Sequence, residues 1–312
     1  MRIVFMGTPI YSASILENLI SSSHDVVGIL TKPDTSRGRS GKLVPSPVKQ
    51  LALEHKIPLF QPSTLKNNTE IVTNINQLNA EIGIVVAYGL ILPEFILSIF
   101  PSGCLNIHPS LLPKYRGSSP VSASILNGDT MTGISIMKLN SGIDSGPILS
   151  QKEVAIAKNE TCEDLTTRLF SLSSKILVEV INKIEKGKIT QKEQCEKEAT
   201  YTKKLSRLDG LINWENSASE ISNMIRAYHP WPGSYTVLNG RKLKIIESEF
   251  LISKHIKNIA PGEIFVDKEV FVGTSDGIIK LIKIQPEGKS AMNAKDFSNG
   301  NHAFQTSILG NR

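Results

Sequence analysis

Two side chains near the middle of the chain have the types and the spacing for proton transfer at a carbonyl group. Asn106 and His108 lie two residues apart at the end of the short apolar run Cys104–His108. Because side chains alternate along a strand, both project from the same face. An amide N–H can donate to a developing oxyanion, and an imidazole can accept or relay a proton. The alternative for a histidine in this place is a simple hydrogen bond to a loop carbonyl.

A second loop supplies a carboxylate. Asp144 lies between Gly142 and Gly146, after the predicted strand Thr132–Leu139. Such an aspartate often caps a turn, but beside His108 it would orient the imidazole and stabilise its protonated form. We expect it at the same end of the sheet as the other two residues. The three would then suit acyl transfer in which no enzyme nucleophile is acylated, and Cys104 is predicted to be a core residue.

The elements that must position these residues alternate between strand and helix. This order predicts an α/β fold, a Rossmann-like, mostly parallel sheet covered on both faces, with ligands at the carboxyl ends of the strands. The turn Gly7-Thr8-Pro9 lacks the GxGxxG pattern, which argues against a dinucleotide site. The predicted strands are Arg2–Met6, Val26–Thr31, Leu59–Phe60, Ile82–Tyr88, Cys104–His108, Thr132–Leu139 and Pro147–Ile156. The predicted helices are Ala13–Ile20, Val48–His55 and Ile71–Asn79.

The pattern changes after a long helix. Apolar residues at spacings of three and four predict a helix over Glu163–Lys186, with a capping-box-like start at Thr161 and a stop at Gly187. A polar stretch, 190–207, is interpreted as a linker between domains 1–189 and 208–312. Beyond it, a helix and then short strands separated by turn residues predict a small antiparallel OB-type barrel. The predicted elements are helix Ile221–Tyr228 and strands Ser234–Leu238, Leu243–Glu247, Glu263–Val266, Val270–Gly273 and Ile278–Ile284.

Composition narrows the class of protein. The chain has 312 residues and a net charge of +6, which permits a nucleic-acid partner without proving one. Its three cysteines are scattered, as expected for reduced thiols in a cytoplasmic protein without a zinc site. We expect no signal peptide, no membrane span and no metal.

Several segments together resemble the folate-dependent formyltransferases. The signature of that family is similar to Cys104–Gly117 and Ser141–Gly146. Within the first segment, Ser110-Leu111-Leu112-Pro113 and Tyr115-Arg116-Gly117 are similar to a motif on the folate side of the site. The stretch Val86–Pro93 is similar to a second folate-pocket motif. The resemblance extends over nearly the whole chain.

The resemblance implies a function and a set of site residues. The branch that it favours transfers the formyl group of 10-formyltetrahydrofolate to the free amine of initiator methionyl-tRNA, for translation initiation. Asn106 and a protonated His108 would stabilise the oxyanion, and Asp144 would hold a water that relays the proton. The implied folate-binding residues are Ser110, Leu111, Leu112, Pro113, Val86, Tyr88, Gly89 and Leu90.

A basic loop and the second domain are the implied tRNA contacts. The stretch Lys32–Lys49 has five basic residues and one acid, and its alternative role is a solvated surface loop. It reads Thr35-Ser36 where family members have Pro-Ala before Gly-Arg-Gly. The expected tRNA-binding residues are Arg37, Arg39, Lys42 and, in the second domain, Lys289. In that domain Trp231 is expected to pack in a core or domain interface rather than to stack on bases.

Two alternatives remain open. A formyltransferase acting on a sugar nucleotide or on glycinamide ribonucleotide would share the Asn, His and Asp but would not need the basic loop together with a barrel. A tRNA-binding protein with an inactive catalytic fold would not need all three residues. We expect a cytoplasmic monomer whose partners are the tRNA and the folate.

Overall fold

The computed structural model describes residues 1–36, 43–251 and 259–310. They form two compact units. The first unit consists of Met1–Pro120, Met131–Ala155 and Thr166–Thr202, and the second of Val121–Thr130, Ile156–Leu165 and Lys203–Arg312. The boundary between Thr202 and Lys203 falls within the predicted linker 190–207, and the domain bounds 1–189 and 208–312 stay a prediction.

A seven-stranded sheet is the centre of the first unit. Four successive pairings, from Cys104–His108 to Leu59–Phe60, are parallel, whereas Met131–Lys138 is antiparallel to both of its neighbours. The prediction of a mostly parallel α/β sheet is confirmed. In spatial order the strands are Ile148–Ala155, Met131–Lys138, Cys104–His108, Ile82–Val86, Arg2–Gly7, Asp25–Leu30 and Leu59–Phe60.

Burial explains why the central strands are apolar without alternation. Residues Ile3, Val4, Phe5 and Met6 of the first strand are all fully buried, as expected when both faces of a sheet are covered. The predicted strand Ile82–Tyr88 ends earlier, at Val86, because the backbone turns to positive φ at Ala87 (+47°).

The predicted helices are confirmed, with ends shifted by up to three residues. Two of them start with side-chain caps: Ser46 Oγ accepts from Lys49 N at 3.0 Å, and Asn68 Oδ1 accepts from Ile71 N at 3.1 Å. Thr161 and Asp164 form the expected reciprocal capping box. In the first 190 residues the helices are Ile10–Ile20, Pro47–Glu54, Thr69–Gln77, Glu94–Leu97, Pro120–Leu126 and Cys162–Glu185.

The second unit is built on a six-stranded antiparallel sheet. The hairpin predicted at Asn239-Gly240 is confirmed, since both residues have positive φ (+49° and +73°), as a type I′ turn requires. The strand order is Ser234–Leu238, Arg241–Leu251, Ile278–Pro286, Val270–Gly273 and Ile264–Val266, with Met292–Asn293 beside Ile278–Pro286. The two later helices are Ala218–Ala227 and Ala294–Asn299.

Two expectations for the second unit need correction. An OB-type barrel is not confirmed, because no ladder joins the edge strands Ser234–Leu238 and Ile264–Val266 in the part of the chain that the structure describes. Trp231 is 53% exposed and is not a core residue. The buried tryptophan is Trp214, whose Nε1–H donates to Thr236 Oγ1 at 3.0 Å.

Two features are absent from the described ranges. None of their helices combines the length and the apolar character needed to cross a membrane. No three of their His, Cys, Asp and Glu side chains are grouped as a metal ion would require.

Candidate active site

The strand Cys104–His108 places Asn106 and His108 at the carboxyl edge of the parallel strands. Asn106 pairs in register with Val85, one residue before the neighbouring strand ends at Val86. Cys104 is buried at the start of the strand, as predicted for a core residue, and burial raises the pKa of its thiol to about 12. The thiol is therefore protonated and unreactive at neutral pH.

The three predicted catalytic side chains lie together. Asn106 Nδ2 donates to Asp144 Oδ1 at 3.4 Å, and His108 Nδ1 is 3.6 Å from Asp144 Oδ2. Gly117 N–H donates to the same Oδ2 at 2.8 Å. Asp144 adopts a positive φ of +46°, which aspartate tolerates better than most residues. Its carboxylate thus faces both of the other side chains.

The route by which Asp144 reaches them differs from the prediction. Met131–Lys138 is antiparallel to Cys104–His108, with Lys138 opposite Leu105 and Ser135 opposite His108. The strand therefore ends at the opposite edge of the sheet, not at the same end as expected. The loop between Leu139 and Pro147 brings Asp144 back to Asn106 and His108.

The imidazole of His108 has a defined tautomer. It is 3% exposed, and its Nε2 lies 2.9 Å from the carbonyl oxygen of Tyr115. A carbonyl oxygen only accepts, so Nε2 carries a proton and donates it. In the neutral ring Nδ1, which faces Asp144, is then the proton acceptor.

The electrostatic balance favours that neutral ring before reaction. Burial lowers the pKa of the His108 imidazole below its ordinary 6.5, against the opposing effects of the Asp144 carboxylate and the Tyr115 carbonyl. An imidazolium formed during a reaction would have the carboxylate beside it. The arrangement can therefore accept a proton at Nδ1 and stabilise the resulting charge.

The motif at Ser110–Pro113 is held by hydrogen bonds of its own. Ser110 Oγ donates to Lys114 O at 2.7 Å, and Ser135 Oγ donates to Ser110 O at 2.7 Å. Leu112 packs in a small core with Met137 and Ile148. Ser110 and Leu112 are buried, whereas Leu111 and Pro113 are half-buried.

The second predicted folate segment offers backbone rather than side chains. Val86 and Tyr88 are buried, whereas Gly89 is exposed, with φ +78°, and Leu90 is half-buried. A Cβ at residue 89 would lie 2.6 Å from Lys32 Nζ, so that lysine passes close over the glycine. Thr8 Oγ donates to Tyr88 O at 3.1 Å and fixes the turn.

The predicted tRNA contacts are only partly visible. Arg37, Arg39 and Lys42 lie outside the described residues. At the base of their loop Thr35–Ser36 pairs with Leu43–Val44, and Lys49 Nζ binds Asp34 at 2.7 Å, so Lys49 neutralises the one acid. Lys289 is exposed in the second unit, on a turn beside Arg241 and Lys242.

The sequence did not reveal the segment that binds the Tyr115–Gly117 and Asp144–Gly146 loops. Gln194 Nε2 donates to Asp144 O at 2.8 Å and to Gly146 O at 2.7 Å. Arg116 of the Tyr115–Gly117 motif is fully buried and donates to Gln194 and Glu196. The one available signal was that a polar stretch after the long helix still contained Gln and Glu capable of pairing with a buried arginine.

Comparison with known proteins finds family models and full-length relatives that match most of the chain. The model of the formyl transferase family matches residues 1–181, and that of the formyl transferase C-terminal domain matches residues 204–302. The methionyl-tRNA formyltransferase of Thermodesulfovibrio yellowstonii is 42% identical over 299 residues, which are 96% of this chain and 95% of that protein. That of Caldanaerobacter subterraneus is 38% identical over 310 residues, 99% of this chain and 100% of that protein.

A solved structure has the same fold. WlaRD, a sugar 3N-formyl transferase crystallised with dTDP and 5-N-formyl-THF, superposes with a TM-score of 0.67 at 21% identity, over 93% of this chain and 99% of that one. At that identity the likeness concerns the fold alone, whereas the family models and the full-length relatives concern the sequence itself. With the asparagine, histidine and aspartate in contact at one edge of the sheet, the chain belongs to the formyl transferase family.

Proposed function

We propose that the protein transfers the formyl group of 10-formyltetrahydrofolate to the amino group of initiator methionyl-tRNA. The observation that carries this is the contact of Asn106, His108 and Asp144 in a chain whose full-length relatives at 38–42% identity are methionyl-tRNA formyltransferases. The products are N-formylmethionyl-tRNA, which begins translation, and tetrahydrofolate.

The reaction forms one bond to carbon and breaks another. The methionyl nitrogen attacks the formyl carbon, and its oxygen becomes an oxyanion, to which Asn106 donates a hydrogen bond. His108 Nδ1 accepts a proton from the attacking amine, and Asp144 stabilises the imidazolium. Collapse of the intermediate breaks the carbon–N10 bond, and the proton passes to N10. The protonated His108 expected from the sequence thus belongs to the reaction rather than to the free site.

The folate-side loops fit a flat polar ring such as a pterin. The Val86–Leu90 segment presents exposed backbone at Ala87 and Gly89, both at positive φ, and backbone groups can read the ring's donors and acceptors. Half-buried Leu111 and Leu90 supply apolar contact. A role in binding 10-formyltetrahydrofolate is supported by WlaRD, a protein of the same fold crystallised with 5-N-formyl-THF.

The second candidate is a formyltransferase that acts on a sugar-nucleotide amine. It is favoured by the fold shared with WlaRD. The fold shared with WlaRD includes most of the domain after residue 204, so that domain does not separate the two substrates. The basic loop and the full-length relatives at 38–42% identity, which are methionyl-tRNA formyltransferases, favour the tRNA substrate. Purified protein should be incubated with 10-formyltetrahydrofolate and offered either methionyl-tRNA or an amino-sugar nucleotide. Formylation of the sugar alone would overturn the proposal.

The chemical step should lose rate in acid. His108 must be neutral to accept the amine proton, and burial holds its pKa below 6.5, so its protonation should lower the single-turnover rate as the pH falls through that pKa. Protonation of the attacking methionyl amine should cause a separate loss of rate at higher pH. Rates measured from about pH 5 to 8 with both substrates saturating would test this. In His108→Gln the inflection at the lower pH should vanish while that of the amine remains, and a lower inflection that persists in this variant would belong to another group.

The basic loop should set the salt dependence of tRNA use. Replacing Arg39 and Lys42 together by Gln should weaken binding of methionyl-tRNA and reduce the slope of log affinity against log salt by about one unit for each phosphate that the loop no longer neutralises. Folate binding should be unchanged. As a matched control, Lys56→Gln and Lys66→Gln together remove two exposed charges elsewhere in the same unit. A wild-type slope in the double variant would show that the loop is a solvated surface loop that does not contact the phosphates of the tRNA.

A further inference from the structure

The side chain of Arg116 is fully buried, and residues of a single segment accept the hydrogen bonds of its guanidinium group. This segment, Gln194–Thr202, is here called the strap. Arg116 Nε donates to Gln194 Oε1 at 3.0 Å, and the two terminal nitrogens donate to the Glu196 carboxylate at 2.9 and 2.7 Å. Nη1 also donates to Tyr201 Oη at 3.0 Å. The bidentate pairing with Glu196 adds geometric specificity to the contact between Arg116 and this segment.

The backbone of the strap is bound to the same loop. Tyr201 and Thr202 form a short parallel ladder with Arg116 and Gly117, and Arg116 N donates to Thr200 O at 2.8 Å. Thr200 Oγ accepts from Tyr115 N at 2.8 Å. The residues held here are the ones that touch the catalytic groups: Tyr115 O accepts from His108, and Gly117 N–H donates to Asp144.

Gln194 joins the two sides of the site. Its oxygen accepts from Arg116, and its nitrogen donates to the carbonyls of Asp144 and Gly146 at 2.8 and 2.7 Å. The amide oxygen and both amide hydrogens are therefore used. The two hydrogens bind the turn that carries Asp144, so this side chain helps to fix the position of that turn.

We propose that Gln194 is a positioning residue, oriented by buried Arg116, which sets the place of the Asp144 carboxylate relative to His108 and Asn106. The inference rests on the proposed formyl transfer. Gln194 acts through Asp144 and touches none of the reacting atoms itself.

The distances at the site explain why such a support matters. Asp144 is 3.6 Å from His108 Nδ1 and 3.4 Å from Asn106 Nδ2, near the outer limit of direct interaction. A displacement of about 1 Å in a catalytic group can lower a rate by about a hundredfold. Asp144 lies on a loop with positive φ, outside the helices and strands, so hydrogen bonds to the carbonyls of that loop help to fix its backbone.

The test is Gln194→Met, which keeps the length of the side chain and removes all of its hydrogen bonds. The exposed neighbour variant Glu193→Gln is the matched control. With both substrates saturating, Gln194→Met should lower the single-turnover rate tenfold or more, with each KM within about threefold of wild type. Glu193→Gln should match wild type.

A second measurement separates positioning from mere loss of structure. In folded Gln194→Met the carboxylate should act less strongly on the imidazole, so the His108 pKa should fall further, as read by NMR titration with the signal assigned through His108→Gln. Gln194→Glu should be as slow as Gln194→Met, because neither side chain has the amide N–H donors that bind the carbonyls of Asp144 and Gly146. If Gln194→Met does not fold, Gln194→Glu, which keeps an acceptor for Arg116, decides by its rate.

The outcomes distinguish this inference from the function itself. A wild-type rate in folded Gln194→Met, or a rate loss with an unmoved His108 pKa, would overturn the positioning role. Absence of methionyl-tRNA formylation by the wild-type protein would overturn the proposed function, and the NMR titration would still report on the coupling of Gln194 to His108.

Discussion

Asp144→Asn should lower the single-turnover rate of formyl transfer by a hundredfold or more while leaving the affinity for tRNA and folate nearly unchanged. The substitution removes the charge that would stabilise the His108 imidazolium, and it leaves one acceptor oxygen to serve Gly117 N–H and Asn106 Nδ2, which now bond different carboxylate oxygens. Asparagine tolerates the positive φ of residue 144, so the backbone need not move.

His108→Gln should have an effect of similar size. A glutamine amide can still donate to Tyr115 O, but it cannot take the proton of the amine. Because the two residues act as a unit, the double variant should be little slower than the slower single variant. Single-turnover formylation with saturating enzyme gives the chemical rate directly. Near-wild-type rates in either single variant would remove that residue from the mechanism, and multiplicative losses in the double variant would show that the two act independently.

Much of this site follows from patterns within a few residues. Strand alternation alone puts Asn106 and His108 on one face, and the strand–helix alternation puts that strand in a mostly parallel sheet. Asp144 contacts both side chains, as expected, but the strand before it runs in the direction opposite to the one predicted. The alternation in Thr132–Leu139 is the same for either strand direction, so the sequence could not reveal that Met131–Lys138 runs antiparallel.

The strap could not be found in this way. Gln194 is 50 positions from Asp144 and 78 from Arg116, and its neighbours are polar. A polar stretch predicts exposure when only composition is considered, yet here the polar groups satisfy a buried guanidinium. Local propensity carries no information on such a pairing, because it depends on where the Tyr115–Gly117 loop lies in the folded chain.

Gly117→Ala should lower both stability and activity, because this glycine lies where the strap meets the catalytic loop. Its φ is +103°, which residues with a Cβ rarely adopt, and an added Cβ would lie 2.7 Å from the backbone oxygen of Thr202. Relief requires the strap or the loop to move, and Gly117 N–H bonds Asp144 Oδ2 at 2.8 Å. We expect a loss of about 1–3 kcal/mol in the free energy of unfolding and a tenfold or larger fall in single-turnover rate.

Gly187→Ala is the matched control for this prediction. Gly187 ends the long helix at φ +64° with nothing within 4 Å of an added Cβ, so its replacement adds backbone strain but no collision. It should cost about 1 kcal/mol and leave the rate of formyl transfer at the wild-type value. Denaturant unfolding and single-turnover rates of both variants, measured together, separate strain from displacement of Asp144. A wild-type rate in both variants would show that movement where the strap meets Gly117 does not change the rate of formyl transfer. The hydrogen bond from Gly117 N–H to Asp144 would then not limit that rate.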